Sequence, residues 1–105
     1  MSLFKHQEFL IKILKSQKHM FTKSTHILSS SIDDEVVMMS SERGMYYNLN
    51  PIGSRIWELL DTPQTQESLC AQLMGEYDVD EATCQQETAE FLKSLADRGL
   101  IQTSA

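Results

Sequence analysis

The stretch MYYNLNPIGSRIWELLD, residues 45–61, joins the pattern of a β-strand directly to the pattern of a capped helix. From Met45 to Leu49 the residues alternate as on a strand with one buried face, and aromatic side chains favour that geometry. Asn50 suits the N-cap of a helix because its side chain accepts a free amide. Pro51 suits the first helical position because its φ is already helical. The junction therefore predicts an aromatic strand that is followed at once by a helix.

The rest of the chain divides into strands before this junction and helices after it. Two strands are predicted at Thr25–Ser31 and Val36–Met39, after a mostly polar connector at Phe21–Ser24. Two more helices are predicted, one with Thr65 as its N-cap and one that runs from Asp78–Asp80 to Arg98. Strands first and helices second predict an α+β fold, with a three-stranded antiparallel sheet followed by three helices.

The N-terminal segment carries an amphipathic pattern of its own. From Leu3 to Met20, apolar residues recur at helical spacing opposite four lysines, which predicts an extra N-terminal amphipathic helix. Such a helix needs a surface for its apolar face. Docking on the rest of the chain or pairing in a homodimer is favoured over contact with an anionic membrane surface. The predicted domains are an extension at 1–22 and a main domain at 23–105.

Charge is distributed unevenly along the chain. The net charge is −6, but residues 1–26 have five Lys and one Glu, whereas residues 27–105 have four Lys or Arg and fourteen Asp or Glu. An acidic main domain disfavours nucleic acid and favours a basic partner or peptide, although a solvated surface tuned for solubility explains many such excesses.

The motifs of catalysis and of metal or cofactor binding are missing from the sequence. His6, His19 and His26 do not lie beside metal ligands or a nucleophile, and no phosphate or dinucleotide fingerprint occurs. We therefore expect no enzyme activity, no cofactor and no metal. Cys70 and Cys84 are not spaced as metal ligands usually are. We expect them to be free thiols in a protein of a reducing compartment. No apolar run is long enough for a membrane span, so the cytoplasm is the expected location.

The last predicted helix has two distinguishable faces. Thr88, Phe91, Leu92 and Leu95 form a heavy stripe that is expected to fill the core. A second stripe consists mostly of small residues, which let another backbone approach closely and could floor a groove. Alanine is also simply the best helix former, so the pattern alone leaves both interpretations open. The members of this small-residue stripe are Ala82, Gln86, Ala89, Lys93 and Ala96.

Six segments occur in a fixed order along the chain: EVVM (35–38), GMYYNLNPIG (44–53), RIWELLD (55–61), EYDV (76–79), FL (91–92) and GLI (99–101). Together they resemble the PqqD family, and the resemblance covers roughly Thr25 to Gln102. The string YNLN followed by IWELL is the most specific part. Family members often have a Gly soon after the position of Asp61, where this chain has Thr62 and Pro63.

The resemblance implies a winged-helix-like fold and a non-catalytic role. Such proteins bind the leader of a ribosomally made precursor peptide and present it to a modifying enzyme, commonly a radical-SAM enzyme or a leader peptidase. Binding by β-augmentation would place the leader along one strand, opposite the last helix. The implied peptide-binding residues are Met45, Tyr46, Tyr47, Asn48, Ala82, Gln86, Ala89, Lys93 and Ala96.

Two other function classes stay open at this point. A DNA-binding winged-helix regulator shares the architecture, but the last helix offers Lys93 alone against several acidic residues. A structural or oligomerisation subunit would use the N-terminal helix for assembly and bind no peptide.

Overall fold

The computed structural model describes residues 19–104, within which five strands and three helices form. The predicted N-terminal helix lies outside the described residues, except for its last two positions. The elements are β1 (Met20–Lys23), β2 (Ile27–Ile32), β3 (Glu35–Ser40), β4 (Met45–Leu49), α1 (Pro51–Leu59), α2 (Gln66–Glu76), α3 (Glu81–Asp97) and β5 (Ile101–Ser104). No helix among the described residues is long and apolar enough to cross a membrane.

The predicted α+β arrangement is confirmed. Strands β2, β3 and β4 form an antiparallel sheet in that order, and the three helices follow. The β2–β3 turn consists of Asp33 and Asp34, both with positive φ, as a two-residue hairpin turn of this kind requires. Gly44 has φ +63° in the next turn. Both hairpins therefore have the local chemistry that their sequences indicate.

The prediction of a polar connector at Phe21–Ser24 is wrong. Most of this segment lies in β1, which pairs antiparallel with β5 in a second, two-stranded sheet. Phe21 also exchanges both backbone hydrogen bonds with Gln64, at 2.7 and 3.1 Å. These partners lie about 40 to 80 residues away, so local composition carries little information about the strand. Strand β1 also crosses the predicted domain boundary at residue 22. The division into two domains stays a prediction.

The strand-to-helix junction forms as its residues predict. Asn50 is the N-cap of α1, and its side-chain oxygen accepts the amide of Gly53 at 2.7 Å. Pro51 occupies the first turn, where its missing donor costs nothing. The cap therefore fixes where β4 ends and where α1 begins.

A buried hydroxyl holds α1 against the sheet. The Ser54 Oγ accepts the Val36 amide at 2.7 Å and donates to the Leu49 carbonyl at 3.1 Å. Val36 and Leu49 are register partners on β3 and β4, so the hydroxyl is inserted at the end of their ladder. Only 3% of Ser54 is exposed. This one side chain thus satisfies two backbone groups that water does not reach.

The other two helices are capped by local residues as well. The predicted N-cap Thr65 begins α2 in a reciprocal box with Ser68, and Gly99 ends α3 with φ +73°. Asp80 is the N-cap of α3 and accepts the Thr83 amide at 3.0 Å. The core lies between the three-stranded sheet and the helices, where both cysteines are buried free thiols.

Candidate functional site

A groove of about 400 Å³ opens on the surface of the described residues. It lies between the end of β4, the start of α1, the end of α2 and one face of α3. Buried apolar side chains, including Leu49, Ile56 and Leu73, form its floor. Half-exposed Ile52 and Tyr77 stand at its rim. A mostly apolar channel is typical of a site that binds a chain or a small ligand.

The α3 side of the groove consists of residues that follow one another at helical spacing. Phe91 stands at its centre, in close contact with the first turn of α1. A Cβ built on Gly53 would lie 3.0 Å from the Phe91 Cζ, so only glycine fits there without moving the ring. The complete α3 wall is Cys84, Glu87, Thr88, Phe91, Ser94 and the C-cap residue Arg98.

The small-residue stripe does not form this wall. Its five members, Ala82, Gln86, Ala89, Lys93 and Ala96, lie within the described residues but do not line the groove. Ala89 and Phe91 are two positions apart, which is about 200° around a helix, so the stripe points largely away from the groove. Phe91, which the sequence places in the core stripe, is half-buried, packs against the core and also lines the groove. A role of the small-residue stripe in peptide binding stays a prediction.

The β4 side of the groove is the edge of a sheet. Within the described residues β4 pairs only with β3. The backbone amide of Ser41 donates to the His26 carbonyl, just beyond the paired ends of β3 and β2. Because hydrogen-bonding direction alternates along a strand, the odd-numbered amides of β3 point to β2 and the even-numbered amides point to β4. These even-numbered residues oppose the odd-numbered residues of β4. The backbone groups of Tyr46 and Asn48 consequently point to the open edge.

The four predicted site residues on β4 occupy different positions at this edge. Tyr46 and Met45 are exposed, by 72% and 51%, and Asn48 lines the groove. Tyr47 is half-buried, and its ring lies 5.7 Å from the guanidinium carbon of Arg98. Strand β4 and the far wall are therefore linked by a cation–π contact at one end of the groove.

The lining of the groove supplies mainly apolar binding contacts. No cluster of three or more potential metal ligands occurs within residues 19–104. Burial raises the pKa of the neighbouring Cys70 thiol to about 11, so that thiol stays protonated near neutral pH. What the arrangement supplies is an apolar channel beside unpaired strand amides and carbonyls. Those features suit an extended polypeptide.

Comparisons with known proteins found a matching family model. The model of a family described as Coenzyme PQQ synthesis protein D (PqqD) matches residues 35–101, which include β3, β4 and all three helices. No curated protein sequence matches the chain.

Two solved structures are similar to this one. The first is TbiB1 in complex with the TbiA(beta) leader peptide, at 36% identity and TM-score 0.74, covering 77% of this chain and 94% of that one. The second is lasso peptide synthetase B1 complexed with the leader peptide, at 22% identity and TM-score 0.71, covering 78% of this chain and 96% of that one. At that identity, the second similarity concerns the fold alone.

Proposed function

The chain belongs to the PqqD family, and from that membership we propose that it binds the leader segment of a ribosomally made precursor peptide. The observation that carries this proposal is the open edge of β4 beside the apolar groove. An extended leader would add a strand to the sheet through Tyr46 and Asn48, because β-augmentation needs such an edge. Its alternate side chains would enter the groove and give selectivity.

The proposed contact residues differ in part from those predicted by the sequence. The proposal keeps the four residues on β4, because they form the open strand edge and Asn48 also lines the groove. These residues are Met45, Tyr46, Tyr47 and Asn48. On α3 the proposal replaces the small-residue stripe with the face that contains Glu87, Phe91, Ser94 and Arg98. The similar protein TbiB1 was solved with a leader peptide bound, which supports a peptide as the occupant.

The wider role follows from the resemblance and is proposed with it. The module would act without catalysis and hand the leader to a modifying enzyme, such as a radical-SAM enzyme or a leader peptidase. Free thiols at Cys70 and Cys84 support a reducing compartment such as the cytoplasm. We also propose a winged-helix-like fold and an N-terminal amphipathic helix. That helix would dock on the rest of the chain or pair in a homodimer.

The DNA-binding alternative is not favoured by the charges on α3. Lys93 lies within 3.0 Å of Asp97, so the lysine of this helix is already paired. The helix also carries Glu81, Glu87 and Glu90. A phosphate backbone would be repelled by this surface.

An NMR titration tests the proposed function directly. The TbiA(beta) leader is the first probe, followed by leaders of short precursor frames that neighbour this gene. We expect chemical-shift changes at Tyr46 to Asn48 and on the groove face of α3. Changes confined to residues 1–18, or to the face that contains Gln86 and Lys93, would contradict the groove.

A proline at the strand edge separates backbone pairing from side-chain packing. Tyr46→Pro is expected to weaken leader binding by about fivefold or more, because it removes one outward amide worth about 1 kcal/mol. Proline is tolerated in edge strands when its position faces solvent, so the fold should persist. Calorimetric titration measures the affinity. Tyr46→Thr is the matched control, since it loses the ring but keeps the amide, and equal losses in the two variants would argue against strand addition.

A further inference from the structure

The two ends of the groove carry opposite charges. Among the described residues that line it, Glu87 and Arg98 are the charged ones. Neither takes part in an ion pair within the described part of the chain, whereas Glu76 is paired with Arg55 at 2.7 Å and Asp97 with Lys93 at 3.0 Å. The uncompensated charges of the groove walls are therefore one negative and one positive.

A second cation lies near the Arg98 end of the groove. Arg98 lies over the Tyr47 ring, and Arg43 approaches the same end of α3, donating to the Asp97 carbonyl at 3.4 Å. Glu87 lines the groove nearer the N-terminus of α3. The end of the groove at Arg98 is thus basic, and the end at Glu87 carries a negative charge.

The helix also sets the spacing of the two residues along its axis. Eleven positions separate Glu87 from Arg98, which corresponds to about 16 Å along a helix. An extended peptide covers that distance in about five residues. Because alternate side chains of a strand point the same way, two side chains that both enter the groove are about four or six residues apart.

We propose that the groove selects peptides with an acidic side chain near Arg98 and Tyr47 and a basic side chain near Glu87, about four to six residues away. This inference rests on the proposed function and deepens it by naming the charge pattern of the ligand. The apolar floor between the two charges accepts the intervening side chains. The charge pair also sets the direction in which the peptide lies, since reversal places like charges together.

The test is a selection from a randomised display library of peptides about twelve residues long, enough to span the groove when extended. On the full-length protein we expect enrichment of Asp or Glu at one position and of Lys or Arg about four to six positions away. Arg98→Glu is expected to invert the first preference alone, and Glu87→Lys the second alone. For a fixed selected peptide, each reversal should weaken binding by about twofold to fivefold, the scale of an exposed ion pair.

A control on another face of α3 completes the design. Lys93→Glu makes a similar charge reversal away from the groove, and it should leave the selected pattern unchanged. Enriched peptides without a charge pattern, or a pattern that ignores both groove variants, would overturn the inference while leaving the proposed function standing. No enrichment of any peptide would overturn the proposed function and this inference together.

Discussion

Replacing Ser94 with Arg is expected to lower the affinity for a bound peptide by about thirtyfold or more, a loss of about 2 kcal/mol that is typical of blocking a central contact. Ser94 is half-buried and lines the groove on α3, between Phe91 and Arg98. A long guanidinium side chain at this position would occupy the channel that the peptide side chains need. Calorimetric titration with a peptide selected on the wild-type protein measures the loss.

Gln86→Arg is the matched control for this variant. It introduces the same side chain on the same helix, but at an exposed position that does not line the groove. We expect its affinity to stay within about twofold of wild type, because an exposed helix position tolerates Arg. Gln86 also belongs to the small-residue stripe, so the pair of variants decides between two faces of α3. A loss in Gln86→Arg with retained binding in Ser94→Arg would restore the stripe as the binding face.

Removing the hydroxyl of Ser54 is expected to reduce the free energy of unfolding by about 2 to 4 kcal/mol, because two buried backbone groups lose their partner. The Val36 amide and the Leu49 carbonyl both bond to this hydroxyl, and the cavity left by one oxygen is too small to admit water easily. Urea unfolding followed by the fluorescence of buried Trp57 measures the change in Ser54→Ala.

An exposed serine on the same sheet serves as the control for Ser54→Ala. Ser30 lies on β2 with its side chain exposed, and Ser30→Ala should change the free energy of unfolding by less than about 0.5 kcal/mol. A loss of unfolding free energy below about 1 kcal/mol in Ser54→Ala would mean that the Val36 amide and the Leu49 carbonyl form other hydrogen bonds. The link between α1 and the sheet would then depend on packing alone.

Much of the fold is predictable because its signals are local. Asn50, Thr65 and Gly99 each act on backbone groups within a few residues, so their effects are readable without knowing the rest of the molecule. The alternation in β4 and the helical spacing after Pro51 are also short-range patterns. The resemblance to the PqqD family rests on these segments, and the family match over residues 35–101 confirms it.

The groove was only half predictable from sequence. Strand β4 was identified as an edge through the family resemblance, and the structure places it at the edge of the three-stranded sheet. The opposite wall depends on how α3 rotates about its axis. Apolar periodicity identifies a stripe, but it does not say which of its members face the core and which face a cavity. One clue was present in Gly53, whose missing side chain makes room for Phe91.

By itself, the sequence determined the element types between residues 25 and 98 and the junction at Asn50, because these depend on neighbours along the chain. Only the tertiary structure decided that Met20–Lys23 and Ile101–Ser104 pair as strands and that Phe91 turns toward a groove. Both outcomes depend on contacts between residues far apart in the sequence. The free energy of such contacts comes from surfaces buried together, and no single segment carries that information.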